Sequence, residues 1–187
     1  VERLNEFGFL ESPKSILVHC LQINDQERDL LRRSNAWIAQ TTESNLRNNL
    51  GIIDSTGFEE KIMVGTDGMH HDMLRSVRSS FFSENKTPGG DAKKFYRRLR
   101  NANRYLAQNG CKNDGENNLI ILHNDMPEKL NSDNFCDHFI YRFSIQNIEH
   151  VISNGELVVK NRQLVNMNED DILHFIHEMG KKISKST

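Results

Sequence analysis

A lone carboxylate, Asp67, stands between Gly65 and Gly68 directly after the apolar run Ile62-Met63-Val64, and that combination suits metal or proton chemistry. A short unbroken apolar run is the pattern of a strand buried on both faces, as in parallel sheets covered by helices. The two glycines let the backbone turn sharply at the C-terminal end of that strand, where open α/β sheets and (β/α)8 barrels carry their ligand groups. Asp67 reads equally as a turn aspartate or as a cap for the helix that follows. His19 ends another apolar run, Ile16-Leu17-Val18, two strands earlier. Both side chains can therefore reach one mouth at the C-terminal edge of a parallel sheet. A strand-end imidazole is also a common hydrogen-bonded structural residue. His70 and His71 lie one loop turn beyond Asp67, within reach of a pocket, although His70 reads better as a helix-start residue facing water. His174 and His177, at i and i+3 beside Glu178, could be drawn as a metal pair, but no third ligand accompanies them and an exposed helix face is the better reading.

The elements that must position these groups follow from periodicity. Val1, Leu4 and Phe7 share a helical face that stops at Gly8, the last turns of a helix. Ile16 to His19 is a strand, and Asn24 with Glu27 three residues on forms a capping pair for a helix that buries Leu30 and Leu31. Trp37-Ile38-Ala39 is the next strand, followed by a polar loop, Gln40 to Asn45, and a second short helix ending near Gly51. Ile62 to Val64 is the third strand, and Asp72 to Phe82 the third helix, with Met73, Val77 and Phe81 on one side. Strand-helix alternation of this kind is the signature of a parallel α/β sheet.

The pattern breaks at the turn-rich segment from Ser83 to Gly90. Asp91 can cap a helix to about Asn109, with Phe95, Leu99, Ala102 and Leu106 as its apolar stripe and Lys93, Lys94, Arg97, Arg98, Arg100 and Arg104 left to solvent. No aromatic platform interleaves that basic run, and the chain is slightly acidic, so nucleic acid is not an expected partner. Asn118 to Leu122 reads as a strand. Ile148 to Val159 reads as two strands joined through Asn154-Gly155, a strong hairpin signal. Asp170 or Asp171 then opens an end helix, with Ile172, Phe175, Ile176 and Met179 inside and lysines 181, 182 and 185 favouring its C-terminal end.

The chain has 187 residues with a net charge of −2, enough for one domain or slightly more with a real core. No apolar run approaches the roughly 18 residues of a membrane span, so a soluble, non-membrane protein is expected. Three cysteines, Cys20, Cys111 and Cys136, show no C-x-x-C spacing and suggest neither a disulfide framework nor a zinc knuckle, which fits a reducing cytoplasm. Val1 opens into helix-like sequence without an initiator Met or a signal segment, as though the chain began partway through a longer one.

Four motifs in order, His19-Cys20, Glu43-Ser44-Asn45 with Asn48 and Gly51, Gly65-Thr66-Asp67-Gly68, and His71-Asp72-Met73, resemble the metal-dependent amidohydrolase superfamily, within it the chlorohydrolase and aminohydrolase branch and its SsnA-like members. The opening Val1 to Gly8 and the tail Asn154 to Asn166 are similar as well, whereas about Glu84 to Asn117 matches poorly. The resemblance implies an α/β fold: the last three units of a (β/α)8 TIM-type barrel plus the C-terminal share of a small β-sandwich. The alternative is an open three-stranded parallel α/β sheet with an added antiparallel hairpin. Residues 1–117 would be barrel strands six to eight with an extra helix at 91–109, and residues 118–187 the sandwich share with its terminal helix.

The resemblance also implies hydrolysis or deamination at a C–N or C–Cl bond of a nitrogen heterocycle, through a metal-activated water. Asp67 takes the place of the metal-ligating aspartate that accepts the water's proton, and His19 that of the histidine beside the water and oxyanion, with a possible share in the metal. His71 and Asn45 are the expected substrate-binding residues. One divalent metal ion is implied, zinc first and iron second, completed by a His-x-His pair, another His and a catalytic Glu that this chain lacks. The chain alone is therefore expected to be inactive, with the missing N-terminal part of the protein, a small heterocyclic substrate and a second copy in a homodimer as its partners. A non-catalytic interaction or scaffold module that kept the fold is the competing reading. Two departures stand out: Thr41-Thr42 precede Glu43-Ser44-Asn45 where the family often has Asn-Pro, and Gly115 to Leu119 lacks the Ala and Asp of a second family signature.

Overall fold

The computed structural model describes residues 1–85, 90–111 and 117–184. Two compact units divide the chain: one comprises the described residues of Val1–Gly115 with Met126–Ile145, the other those of Glu116–Asp125 with Gln146–Thr187. The architecture is α/β, with one parallel and one antiparallel sheet.

In the first unit, α1 (Glu2–Glu6) leads through a 3-10 turn to β1 (Ile16–Val18), α2 (Asp25–Arg33), β2 (Trp37–Gln40), α3 (Thr42–Arg47), β3 (Ile62–Val64), α4 (Met73–Glu84), α5 (Ala92–Gln108) and α6 (Phe135–Tyr141). The three strands are parallel in the order β1-β2-β3, with Leu17 opposite Ile38 and Ala39 opposite Met63. The Asn24 and Glu27 pair forms a full capping box at α2, so two otherwise orphaned N–H groups are satisfied reciprocally. Asp72 and Asp91 cap α4 and α5 by accepting from the backbone N–H three residues on.

Leu10, Leu31, Ala36, Ile38, Ile53, Phe58 and Ile62 form a buried cluster that includes residues of β2 and β3. A second, aromatic layer joins α4, α5 and α6: Phe81 meets Phe95 edge to face at 5.4 Å, and Tyr96 meets Phe139 at 5.0 Å. Arg78 donates to the carbonyls of Ile140 and Phe143 and ties α6 to α4. Helix α6 carries no strong sequence signal; its burial of Phe139 and Ile140 is a tertiary effect.

Two sequence expectations fail in α5. Arg98 is not in solvent: it is 0% exposed, ion-paired to Glu84 at 2.6 Å and donating to Gln40 Oε1 at 2.8 Å and Ser55 Oγ at 2.6 Å, with its guanidinium over the Phe95 ring. Leu99, Ala102 and Leu106 are only half-buried, and the innermost face runs through Ala92, Phe95, Arg98 and Asn101. The physical reason lies in the edge strand that α5 covers. Asn101 Nδ2 donates to Ile62 O at 2.8 Å, and Arg98 neutralises a buried carboxylate at the end of α4, so the helix turns its polar face inward. Arg97 and Arg104 do face solvent, both against Glu60.

In the second unit, β4 (Leu119–Leu122), β5 (Ile148–Ser153), β6 (Glu156–Lys160) and β7 (Gln163–Leu164) form an antiparallel sheet in that order, with α7 (Glu169–Ser184) after it. Asn154 and Gly155, both with positive φ, make the β5-β6 turn, as the Asn-Gly signal requires. The expectation that α7 buries Phe175, Ile176 and Met179 does not hold, because all three are exposed, Phe175 at 65%. Ile120 on β4 is likewise 62% exposed. Among the described residues of this unit none is buried, so its apolar side chains have no core of their own to enter. Lys185, residues 86–89 of the turn-rich segment and the start of the departing signature at 115–116 lie outside the described residues. Among the described residues no helix is long and apolar enough to cross a membrane.

Candidate active site

The groups singled out for chemistry meet around α3, not along a loop. The polar stretch Gln40 to Asn45, expected to be a loop, instead ends β2 and opens α3, with Gln40, Thr41, Thr42, Ser44 and Asn45 all buried. Hydrogen bonds among these polar residues and their neighbours offset most of the cost of burial, with Asn45 Nδ2 left unpartnered.

His19 sits just past β1, half-buried, with φ of 70°, and Cys20 beside it has φ of 48°. Two consecutive side-chain-bearing residues in the left-handed region are held there by their surroundings, which is common where a site fixes its geometry. The ring is gripped at one nitrogen: Nδ1 lies 2.8 Å from Asn45 Oδ1 and 2.7 Å from Thr41 Oγ1. Since an amide oxygen only accepts, Nδ1 is the protonated nitrogen, its N–H shared between the two oxygens, while the Thr41 hydroxyl donates weakly to Asn45 Oδ1 at 3.4 Å. This leaves Nε2 with its lone pair and no recorded hydrogen bond.

Asp67 follows β3 with φ of 53° and lies in the open. Ser44 Oγ donates to its Oδ2 at 2.6 Å and the Gly68 N–H to its Oδ1 at 2.7 Å. The Ser44 hydroxyl first, then the Gly68 amide, with the nearby His19 adding a smaller share, hold the carboxyl below the usual aspartate range, so it is ionised at neutral pH. Cys20 does not join this chemistry: burial pushes its thiol up to about 11, far from a thiolate.

The loop after Asp67 is pinned from the same helix. Glu43 accepts both Arg75 Nε and Nη2, at 3.1 and 2.7 Å, and Ser79 Oγ at 2.5 Å. His70, expected to face water, is turned inward with its side chain 13% exposed: its Nδ1 accepts from Asp72 N–H and its Nε2 faces Glu43 at 3.3 Å without hydrogen-bond alignment. The charge of Glu43 draws it in. Burial works against that charge, yet the Ser79 and Arg75 hydrogen bonds outweigh it and hold the Glu43 carboxyl below its ordinary value. His71 is exposed on the same loop.

The structure thus brings His19, Asn45 and Asp67 together and leaves His71 at the rim. Asn45 is 1% exposed and spends its carbonyl on His19, so it stands behind the imidazole. The groups that sequence reasoning left without a role are Thr41 and Ser44. Their signal was the spacing itself, since 41 and 45 stand at i and i+4, on one side of a helical turn. By donor chemistry Asp67 keeps room for a cation, since each carboxylate oxygen carries one recorded hydrogen bond and keeps a lone pair, and the His19 imidazole is held by Nδ1 with Nε2 left over. Among the described residues no group of three His, Cys, Asp or Glu side chains converges as a full metal shell.

The chain is thus an α/β protein with an aspartate and a histidine at the ends of parallel strands. Along almost its whole length the chain is similar to amidohydrolase-superfamily deaminases and hydrolases, of which it matches less than half. No protein-family model matches it. The 5'-deoxyadenosine deaminase of Methanococcus vannielii is 24% identical over 202 residues, covering 98% of this chain and 47% of the relative. The 5-methylthioadenosine/S-adenosylhomocysteine deaminase of Syntrophomonas wolfei is 23% identical, covering 98% and 46%. Among solved structures, an adenosine deaminase from Xanthomonas campestris with bound zinc superposes with a TM-score of 0.83 at 18% identity, over 98% of this chain and 45% of that one. Atrazine chlorohydrolase TrzN from Arthrobacter aurescens, complexed with zinc, gives 0.71 at 19% identity, over 92% and 42%. The chain spans about half the length of the curated relatives it matches.

Proposed function

We propose that this chain is the C-terminal share of a metal-dependent hydrolase that deaminates a nitrogen heterocycle of the adenine type. It supplies the last three barrel units and one part of a β-sandwich, while the remaining metal ligands and the acid come from an N-terminal part. The observation that carries the reading is the pairing of an ionised strand-end carboxylate with an imidazole whose outer nitrogen is fixed, both leaning on one short helix. The zinc-bearing neighbours and the deaminase relatives support it.

Asp67 would hold the metal, and His19 would stand beside the metal's water. A divalent zinc, when bound, lowers the pKa of its water toward about 7. Asp67, ionised and oriented by Ser44 and Gly68, receives the proton that the attacking water gives up. His19, with Nδ1–H engaged, presents the lone pair of Nε2 to that water and accepts a hydrogen bond from it. His71, exposed at the rim, is placed to meet the substrate.

The test is Asp67→Asn in the complete protein, with metal content measured by atomic emission and deamination followed on a panel of adenosine-type and triazine substrates. Loss of turnover by orders of magnitude with weakened metal retention is expected. Full activity in the variant would sink the assignment.

A further inference from the structure

The helix α3 and its N-cap Thr41 touch the site through four side chains that reach three different segments. Thr41 and Asn45 hold the His19 ring behind β1, Ser44 holds the Asp67 carboxylate after β3, and Glu43 holds Arg75 and Ser79 of α4. His19 and Asp67 themselves sit in left-handed backbone that their own residue types disfavour, so local preference does not orient them. Apart from the Gly68 amide on Asp67, the recorded hydrogen bonds that orient the two side chains come from α3 and its N-cap.

We propose that Ser44 and Asn45 are positioning residues, Ser44 aiming the Asp67 carboxylate and Asn45, with Thr41, fixing the His19 ring so that Nε2 faces the reacting atoms. The inference rests on the proposed function above. Chemistry favours these particular groups. A serine hydroxyl at 2.6 Å from Oδ2 restricts carboxylate rotation that the exposed setting of Asp67 would otherwise permit, and it leaves the second lone pair of that oxygen for other work. An amide oxygen on Nδ1 selects one tautomer, and Asn45 Oδ1 is buried where water does not compete. Adjacent positions on one helical turn then set the carboxylate and the imidazole relative to each other. A shift of α3 would move both together. Neither Ser44 nor Asn45 touches the substrate in this scheme, and both act through their partners.

The experiment uses the complete protein loaded with zinc and the variants Ser44→Ala, Ser44→Thr, Asn45→Leu and Asp67→Asn. Ser44→Ala and Asn45→Leu are expected to lower kcat by about 10- to 100-fold with KM within about twofold, the range typical of residues that orient metal-site groups. Ser44→Ala should also lose zinc faster to a weak chelator, Asn45→Leu should not, and Ser44→Thr, which keeps the hydroxyl, should recover most of the rate and the metal retention. Thermal unfolding midpoints are read on every variant. Unchanged kcat in Ser44→Ala while Asp67→Asn is inactive overturns the positioning role and leaves the proposed function standing. A loss of rate in Ser44→Ala that follows a fallen unfolding midpoint, with Ser44→Thr no better, overturns it as well. Full activity in Asp67→Asn removes the proposed function first, and this inference with it.

Discussion

The interior of the first unit contains one charge that the fold must neutralise, and changing it tests the energetics directly. Arg98 has no exposed surface, and its partners are Glu84, Gln40 and Ser55. Arg98→Met keeps most of the side-chain volume and the contact with Phe95 but deletes the guanidinium. Glu84, itself largely buried, is then left with only the Gln40 amide and the Ser55 hydroxyl as donors. Breaking a buried pair from one side costs about 3–5 kcal/mol, because the surviving charge is stranded. Against a total stability of about 5–15 kcal/mol that is a large share. With an m-value of about 2 kcal/mol per molar urea, the midpoint should fall by roughly 2 M. Trp37, the single tryptophan, lies buried in β2 and makes its fluorescence a report on this unit alone. Removing the stranded charge as well, in Arg98→Met with Glu84→Gln, should return part of the loss, a coupling of about 1–3 kcal/mol. Arg97→Ala is the control, since its pair with Glu60 is exposed and worth only a few tenths of a kcal/mol. If Arg98→Met cost no more than Arg97→Ala, the reasoning from burial would be refuted.

Other outcomes follow from the same geometry. His19→Ala in the complete protein should lower turnover by roughly 10²-fold or more while largely sparing metal content, since it removes a polar partner of the reacting water; a stripped metal site measured by atomic emission would contradict it. Glu43 has its folded pKa depressed, so its contribution is present above the ordinary value of 4.5 and is lost as pH falls through the lower folded value. The unfolding midpoint should therefore drop on acidification below about pH 4.5, and Glu43→Gln should flatten that limb; an unchanged limb in the variant would refute it. The second unit exposes Ile120, Phe175 and Ile176 without a core, so the chain on its own should self-associate, and a monodisperse monomer in sedimentation velocity would count against this.

Much of the scaffold is legible in the sequence because local rules and tertiary needs agree there. The three apolar runs become the three parallel strands, the Asn24 and Glu27 pair caps α2, and Asn154-Gly155 turns the hairpin. The failures share one cause. Arg98, the Gln40 to Asn45 stretch and His70 are polar residues in the interior, and residue type alone places them outside. Only three-dimensional partners such as Glu84, Asp67 and Glu43 make their burial tolerable, and those partners lie 14 to 58 positions away or, for Glu43 and His70, across a strand and its loops. In α7 the error runs the other way, since an apolar stripe was read as buried although nothing among the described residues covers it. For the site, positions 19 and 67 were visible because each closes an apolar run, whereas the roles of Thr41 and Ser44 depend on α3 lying between them.

The left-handed backbone at His19, Cys20 and Asp67 sets folding and chemistry against each other. A side chain in that conformation gives up as much as about 1–2 kcal/mol relative to glycine, less for aspartate and histidine, which enter it more readily. A library screened only for resistance to proteolysis would accordingly enrich glycine or asparagine at these positions and erase the site.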